Sequence, residues 1–425
     1  MEFIPRSLGT RPRLACEVRA EGVVAARAED AFAVLSAVAR VPLTEEIVVP
    51  RLTAVEADGA ATGSATNDVS SGVGGDPAGR AAVVAAVRKA LDAVCLRTRE
   101  VTLIVPDASA RVLLLDFDEL PAKPAEALPV VRFRLKKLLP FDADDAAVSY
   151  QVMATAKDGL QVLAVAMPRE LLADYESVVR EAGFEPGAIL PSTLAALSGL
   201  GESAAPALVV NAGRDGVTTA IVKAGVLLLH RTVDLGADLR ADQQADQRVA
   251  DQRVADQRMA AQLLDAAAAQ LAASANQAPP DEHEQAPEQW ARQEPVSFSE
   301  QNDDAIAVET ELIAEEITEQ IAQEIVEEIA EERSLTDRAD EVAQAVSVAA
   351  AYFEDTLQTP PSAIHAAGTL GAAALTALLK DAHVGPLAVQ EMLHSEMLGA
   401  DASSVGTPGG VPLGWLAGVR GALTN

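Results

Sequence analysis

Residues 134–152, RLKKLLPFDADDAAVSYQV, join three different kinds of local sequence. Leucines and lysines with helical spacing end at Pro140-Phe141, because proline cannot continue a helix. A short acidic turn follows, and the alternation of residues up to Val152 predicts a strand. The stretch carries no catalytic signature, so the reason for this order has to come from the rest of the chain.

The composition of the chain limits its partners. Its 425 residues suffice for two or three domains, and the cores must be aliphatic because aromatic residues make up only 3%. The formal net charge is −30. A surface of that sign disfavours nucleic acid and anionic membranes, since both attract basic proteins. We therefore expect neither nucleic-acid binding nor direct membrane insertion.

The cysteines and the first residues indicate the compartment. Cys16 and Cys95 are isolated in apolar stretches, which is not the pattern of a disulfide framework and suits a reducing environment. Residues 1–14 lack the apolar core of a signal peptide, and no stretch offers roughly eighteen uncharged apolar residues in a row. We expect a cytoplasmic protein that lies at the inner membrane only through a protein partner.

Short strands and helices are predicted on both sides of a loop. Residues 13–28 alternate like a hairpin with Glu21-Gly22 at the turn, whereas residues 28–41 have helical spacing that also allows an extended segment. Residues 54–79 consist mainly of Gly, Ser, Ala and Asp with almost no apolar surface. This composition predicts a flexible loop.

The middle of the chain alternates helices and strands. An amphipathic helix is predicted at residues 80–96, and a helix containing Pro129 leads into the stretch 134–152. Two paired strands follow, ending near Pro168. The next helix is closed by Gly183, because glycine readily adopts the left-handed conformation at a helix end.

Residues 240–335 differ in kind from the rest. They begin with a near-repeat of five residues at 241–259, pass through a polar linker broken by prolines, and end in an acidic stretch where isoleucine recurs every four residues. At about 3.6 residues per turn that stripe drifts around the helix, so it is neither a coiled-coil seam nor a fixed face. We expect a low-complexity acidic insert, partly helical and partly disordered.

Two glycine turns are the strongest candidates for a ligand site. Residues 209–222 are predicted as strand, glycine turn and strand, and residues 364–379 as strand, glycine turn and helix. Such turns can hold a phosphate on backbone N–H groups, but most are ordinary tight turns, and both interpretations stay open. The five histidines show no metal-ligand spacing, and neither a nucleophile elbow nor a Walker motif occurs. We expect no metal site and no catalytic residue.

Taken in order, these pieces resemble the PilM family. The most specific part is the Pro-Phe step at 140–141, the acidic turn after it, and the Tyr-Gln-Val strand at 150–152. PilM proteins are actin-like cytoplasmic assembly proteins of type IV pili, related to the cell-division protein FtsA and to the cytoplasmic part of GspL from type II secretion. The resemblance covers about 12–236 and 339–425 and leaves the acidic insert outside.

The resemblance implies an α/β fold of the actin-like, ribonuclease H-like type, with two lobes and an inserted small subdomain. The core of the first lobe would comprise residues 12–53 and 183–200, and the small subdomain residues 80–182. The second lobe would comprise residues 203–236 and 339–425. The low-complexity insert would interrupt this second lobe.

The nucleotide motifs of actin-like ATPases are incomplete here. Such proteins carry an Asp-Gly pair and small hydroxyl residues in a first phosphate hairpin, where this chain has Glu17 without Gly or Ser beside it, and Asn211 stands where the usual Asp of the second hairpin falls. The positions that the resemblance assigns to nucleotide are Glu17, Asn211, Gly213, Asp215, Gly216, Thr218, Gly368 and Gly371. Mg²⁺ in such sites needs carboxylates and phosphates together. We therefore expect binding of ATP and Mg²⁺ to be weak or lost and the chain not to be an enzyme.

The resemblance also implies a partner. PilM-like proteins hold an extended N-terminal cytosolic peptide of PilN, an inner-membrane protein with a single span, in a cleft beside the small subdomain. An extended peptide can add to a sheet edge or lie in a groove. The candidate contact residues in this chain are Arg132, Arg134, Lys136, Lys137 and Phe141. A solvated helix face is the alternative role for the basic ones.

Three functions compete at this point. An adaptor of a pilus or secretion platform follows from the incomplete nucleotide motifs. A nucleotide-dependent actin-like ATPase that switches or polymerises would need those motifs to work. A scaffold would act through the acidic helical insert instead. Self-association is compatible with each of the three.

Overall fold

Strands and helices alternate along the chain. The structure is a computed structural model, and it describes residues 12–29, 34–44, 47, 50, 52, 72–156, 159–200, 205–235, 336–382, 387–405 and 411–424. The strands are β1 (Leu14–Arg19), β2 (Gly22–Ala28), β3 (Leu35–Pro42), β4 (Glu100–Val105), β5 (Arg111–Phe117), β6 (Ala146–Ala156), β7 (Gly159–Pro168), β8 (Glu185–Pro191), β9 (Ala207–Ala212), β10 (Gly216–Lys223), β11 (Val226–Asp234), β12 (Ile364–Ala367), β13 (Val389–Glu391) and β14 (Leu398–Val405). The helices are α1 (Pro77–Val94), α2 (Pro124–Leu135), α3 (Arg169–Glu181), α4 (Ser192–Ser198), α5 (336–357), α6 (Gly371–Asp381) and α7 (Leu413–Leu423).

Two sheets repeat one plan. In the first, the order is β14-β3-β2-β1-β4-β8, with an antiparallel meander of β1, β2 and β3 followed by β4 and β8 in parallel. In the second, the order is β11-β10-β9-β12-β13, again a meander followed by two parallel strands. The expected pair of related lobes in an actin-like α/β fold is thus confirmed.

The first lobe buries both faces of its sheet. Helices α1 and α3 cover one face, where Val87, Leu91 and Tyr175 are fully buried. Helix α7 covers the other face with Trp415 and Val419. Strand β1 lies inside the sheet, and helices cover both faces. Its residues from Leu14 to Val18 are therefore buried, including the charged Glu17.

The small subdomain is a three-stranded antiparallel sheet, β5-β7-β6, with α2 packed on it. Val131 and Leu135 of α2 are fully buried against that sheet. Its order leaves β5 and β6 as the two edge strands. Strand β8 is likewise an edge strand of the first sheet.

The boundaries expected for the subdomain and the second lobe need correction. Residues 80–182 were predicted to form the subdomain, but α1 and β4 within that range belong to the first lobe, since β4 pairs with β1. Residues 339–425 were assigned to the second lobe, but β14 pairs with β3 and α7 packs on the first sheet. The subdomain proper is therefore the segment from β5 to β7, and the chain returns to the first lobe at its end.

Residues 28–41, for which helical and extended conformations were both open, form strand β3 from Leu35. Its neighbour β2 holds it in an antiparallel register over seven residue pairs, and such pairing outweighs a helical spacing of alanines. Described residues up to Leu235 and from Ala339 onward make one compact unit. The predicted loop 54–79 lies mostly, and the predicted insert 240–335 entirely, outside the described residues.

Candidate functional site

A buried ion pair lies where the β1–β2 hairpin faces the second lobe. Glu17 and Arg19 are two residues apart in β1 and therefore point to the same face of the strand. Arg19 Nε donates to Glu17 Oε1 at 2.6 Å, and the Glu17 side chain has no exposed surface. Gly418 of α7 makes this burial feasible, because a Cβ there would lie only 2.7 Å from Glu17 Oε2.

The ion pair belongs to a polar network that crosses between the two sheets. Arg19 Nη2 donates to Ser192 Oγ at 2.5 Å and to Asn211 Oδ1 at 2.7 Å, and Ser192 Oγ donates to Glu17 Oε1 at 2.6 Å. The Asn211 amide in turn donates to Ser192 Oγ and Thr193 Oγ1, both at 2.9 Å. Asp107 accepts from the Thr193 backbone N–H at 2.9 Å and from its hydroxyl at 2.5 Å. Most of these groups thus find partners within the chain, but the other oxygen of Glu17, Oε2, is buried beside Gly418 and has no hydrogen-bond partner among the described residues.

The charges of the network are set by burial and by each other. Burial raises the pKa of the Glu17 carboxyl, although Arg19 and the hydrogen bond from Ser192 act in the opposite direction. Burial lowers the pKa of Arg19, but Glu17 and Glu21 outweigh it, so that the pKa lies above its ordinary value. Arg19 therefore stays positively charged, and Glu17, Ser192 and Asn211 are arranged around its guanidinium group.

Glu21 bridges the hairpin of the first lobe and two turns of the second. Its Oε1 accepts from the backbone N–H of Arg214 and from the hydroxyl of Thr369, both at 2.5 Å. Gly213 lies directly against this oxygen, since a Cβ at that position would be 2.8 Å from it. Arg214 adds a second link by donating from Nη2 to the backbone carbonyl of Ala20 at 2.9 Å.

A second carboxylate occupies the glycine turn after β12. Gly368 has a φ of +86°, and a Cβ there would approach the Ala212 carbonyl oxygen to 2.3 Å, so this position requires glycine. The following helix α6 begins at Gly371, and its first free N–H groups would suit an anion. Glu391 Oε1 already accepts from the Ala372 N–H at 2.7 Å.

The space between the residues assigned to nucleotide is small. The cavity between Arg19, Glu21, Asp107, Asn211 and Asp215 measures about 50 Å³. By this measure a single water needs about 10–15 Å³, so the cavity has room for a few waters. Glu21 accepts hydrogen bonds from the Arg214 backbone N–H and the Thr369 hydroxyl, and Glu391 accepts one from the Ala372 N–H. Among the described residues no group of His, Cys, Asp and Glu is arranged to hold a metal ion.

The structure brings the predicted nucleotide residues together. Glu17 and Asn211 both belong to the polar network around Arg19. Gly213 lies against Glu21, and Gly368 forms the turn after β12. The remaining predicted residues of the second hairpin, Asp215, Gly216 and Thr218, line the cavity, and Thr218 Oγ1 lies 3.0 Å from Thr232 Oγ1. Gly371 starts α6 with a φ of +71°. Whether any of them holds a nucleotide stays a prediction.

Several residues of the cluster escaped sequence reasoning, namely Arg19, Glu21, Asp107, Ser192, Thr193, Arg214 and Thr369. Two signals were available. A Glu and an Arg alternate on one face of an otherwise apolar strand, which indicates a buried pair. Polar residues also follow β4 and β8 directly, and the carboxyl ends of neighbouring parallel strands meet at one edge of a sheet.

A groove separates the small subdomain from the first lobe. Its volume is about 270 Å³, and two edge strands, β6 and β8, border it. The lining is mainly apolar and includes Ala147, Val148, Met167, Ala188 and Ile189. Glu176 of α3 supplies the one ionisable side chain among its lining residues.

The predicted partner residues lie around α2, outside the residues that line this groove. Arg132 donates to the backbone carbonyls of Ala143 and Ala146, and Lys136 Nζ pairs with Asp144 at 2.5 Å. The basic helix thus holds the acidic turn that follows it, which accounts for the order of sequence in residues 134–152. Phe141 is half-buried and packs against apolar residues of both the first lobe and the subdomain.

The other two partner candidates, Arg134 and Lys137, are exposed. Arg134 lines a wider depression of about 770 Å³ on the subdomain, together with Val130 and Phe133 of the same helix. Contact with a partner stays a prediction for all five candidates. In the part of the chain that the structure describes, no helix is long and apolar enough to cross a membrane.

The structure of this chain is similar to a known protein, whereas its sequence matches none of the family models or curated proteins. Among solved structures, a chain of the "PilM-PilN type IV pilus biogenesis complex" is similar over 97% of this chain and 98% of its own length, with a TM-score of 0.53 and 16% identity.

Two further structures are more distant. The cytoplasmic domain of EpsL, an inner-membrane component of the type II secretion system of Vibrio cholerae, matches 52% of this chain and 70% of its own, at 12% identity and a TM-score of 0.32. The ethanolamine utilization protein EutJ from Carboxydothermus hydrogenoformans matches 99% and 94%, at 10% identity and a TM-score of 0.36. Of these three structures, the chain of the PilM-PilN complex is the one with a TM-score above 0.5. The chain therefore has the actin-like, two-lobed fold that the resemblance to PilM implied.

Proposed function

We propose that this chain is an adaptor of a type IV pilus or related secretion platform, and that it binds the cytosolic peptide of a PilN-like membrane protein. The observation that carries the proposal is the groove between the small subdomain and the first lobe. It is bordered by β6 and β8, which are edge strands of their sheets within the described residues. The fold shared with a PilM–PilN structure supplies the class of partner.

The groove favours an extended peptide over a helix. An unpaired strand edge offers alternating N–H and C=O groups, and a peptide strand completes them while its side chains enter pockets on either side. The small side chains of Ala147 and Ala188 leave room for apolar side chains of such a peptide. Glu176 is half-buried at the groove but already pairs with Arg180 at 2.8 Å, so a basic residue of the peptide would have to share or replace that partner.

An adaptor role also agrees with the state of the interlobe cleft. Several donors that face it are already used within the chain, since Arg19 donates to Asn211 and the Arg214 backbone N–H donates to Glu21. An ATPase would need room and free donors for a triphosphate. The proposal therefore assigns partner binding to the groove and no turnover to the cleft, and it places the protein at the cytoplasmic face of the inner membrane through its partner.

A peptide titration tests the proposal. The probe is a fluorescent peptide with the cytosolic N-terminal sequence of a PilN-like single-span protein from the same organism, and the readout is fluorescence anisotropy. Ser149 lines the groove from β6 and is exposed, so Ser149→Trp should fill the groove without disturbing the core. We expect saturable binding to the unmodified chain and a loss of affinity of at least about tenfold, or about 1.4 kcal/mol, in the variant.

Two controls locate the site. Ala85→Trp adds the same side chain on the exposed face of α1 and should leave the affinity unchanged. The double variant Arg134→Ala, Lys137→Ala removes the exposed basic residues of the α2 region and should change it less than twofold. Binding that survives Ser149→Trp but disappears in the double variant would move the partner site to the basic helix, and absence of binding in every variant would refute the adaptor proposal.

A further inference from the structure

One carboxylate oxygen of Glu21 collects donors from two separate turns of the opposite lobe. Glu21 lies in the turn between β1 and β2, whereas Arg214 lies between β9 and β10 and Thr369 lies after β12. Both donor distances to Oε1 are 2.5 Å. Hydrogen bonds to a carboxylate are short and are stronger than those between neutral groups. The two hydrogen bonds to this oxygen therefore connect the first lobe to the second.

The donors around this oxygen have the character of an oxyanion site. A backbone N–H and a hydroxyl converge on one point, and the absence of a side chain at Gly213 lets the anion approach the backbone. The Arg19 guanidinium is close as well, since its Nη1 would lie 3.3 Å from a Cβ on Gly213. Backbone donors, a glycine and a cation together are the means by which proteins hold phosphate groups.

The geometry points to an oxyanion-binding site that the chain fills with its own Glu21. The carboxylate takes the place of an inorganic or nucleotide phosphate and holds the two lobes together without any ligand. The same arrangement recurs at the neighbouring turn, where Glu391 accepts from the Ala372 N–H at the start of α6. Two of the chain's own carboxylates thus occupy donors that would otherwise be open to an anion.

This inference does not depend on the peptide groove, and removal of the carboxylate tests it. In Glu21→Ala the donors on Arg214 and Thr369 lose their acceptor and a small anion can enter. We expect the melting temperature to fall by about 5 °C at low anion concentration. Inorganic phosphate or acetate at about 20 mM, with chloride adjusted to constant ionic strength, should restore most of that loss.

The matched control is Glu29→Ala, which removes an exposed carboxylate that pairs with Arg27 at 3.4 Å. Neither this variant nor the unmodified chain should gain more than about 1 °C from phosphate. Three results would each overturn the inference: no loss of stability in Glu21→Ala, a loss that neither anion repairs, or an equal gain from phosphate in the unmodified chain.

A second variant covers the case in which Glu21→Ala does not fold. Glu21→Gln keeps the shape of the side chain and one acceptor but loses the charge. Hydrogen exchange of the Arg214 backbone N–H should then be at least about tenfold faster than in the unmodified chain, because the remaining hydrogen bond is neutral. Exchange at Arg27, outside the cluster, should stay the same. An unchanged rate at Arg214 would show that the Glu21 charge does not hold this turn.

Discussion

Arg19 Nη2 lies 2.7 Å from the side-chain oxygen of Asn211, and this contact joins β1 of the first sheet to β9 of the second. The same guanidinium is bonded to Glu17 at 2.6 Å, so one cation serves both an ion pair and a bridge between lobes. The two strands occupy equivalent positions in the two sheets, each next to the first parallel strand. The contact between the two sheets is therefore polar, and the Arg19 guanidinium takes part in both of these interactions.

The first prediction concerns that charge. Arg19→Met keeps the length of the side chain but leaves Glu17 buried without its cation. We expect a loss of about 3–5 kcal/mol in the free energy of unfolding, measured by urea denaturation, because an unpaired buried charge is costly. The double variant Glu17→Gln, Arg19→Met should recover a large part of this loss. If the single and the double variant are equally destabilised, the pair is not the source of the effect.

The second prediction separates backbone strain from steric overlap. Gly368 and Gly183 have nearly the same φ, +86° and +89°, but a Cβ on Gly368 would lie 2.3 Å from a carbonyl oxygen, whereas on Gly183 it would lie 4.0 Å from its nearest neighbour, a flexible Arg99 atom. Gly183→Ala should cost about 1–2 kcal/mol, the ordinary penalty of a left-handed residue. Gly368→Ala should cost clearly more in the same denaturation experiment. Equal losses would mean that the turn after β12 relaxes freely.

The local elements were predictable because their signals are local. The β1–β2 hairpin, the pair β6 and β7 and the strand-turn-helix around Gly368 follow from alternation and from glycine at turns. The order of residues 134–152 also has a local explanation, since Lys136 and Asp144 are only eight residues apart. Contacts between residues that are close in sequence can be predicted from the local sequence pattern.

Non-local pairing was out of reach for the same reason. Strand β4 was assigned to the small subdomain because it is contiguous with it, yet it pairs in parallel with β1, and Ala15 and its partner Thr102 are 87 positions apart. Likewise Glu21 reads as an ordinary turn residue, and its partners Arg214 and Thr369 are separated from it by 193 and 348 positions. Nothing in the turn itself records which residues of another lobe will meet it.

The third prediction is a dependence of stability on pH. Burial lowers the pKa of His230 below its ordinary value, although Asp107 acts in the opposite direction, and Nε2 has neither exposed surface nor a hydrogen-bond partner among the described residues. Below about pH 6.5 the unfolded chain binds a proton that the folded chain does not, so stability is complete above that pH. It should fall by up to about 1.4 kcal/mol per pH unit as the pH drops toward the lowered pKa.

His230→Gln tests this assignment in urea denaturation between pH 7.5 and 5. The variant should lose stability less steeply than the unmodified chain as the pH falls. The comparison variant is His365→Gln, which should flatten the profile as well, because burial and His394 lower the pKa of His365. If only His365→Gln flattens the profile, the acid sensitivity originates at the β12 side of the second lobe rather than at β11.

The last prediction concerns the acidic segment 240–335. Leu235, just before it, and Val342, shortly after it, are buried in the same apolar cluster of the second lobe. A short connection can therefore join the two ends, and shortening a loop lowers its closure entropy only slightly, by about 0.6 kcal/mol per halving. We expect that replacing 240–335 by a Gly-Ser linker leaves the melting temperature within a few degrees and leaves peptide binding at the groove intact. A chain with a scrambled segment of the same composition and length is the matched control. If the linker variant fails to fold while the scrambled one folds, chain length is needed at this point; if both fail, the segment is part of the second lobe.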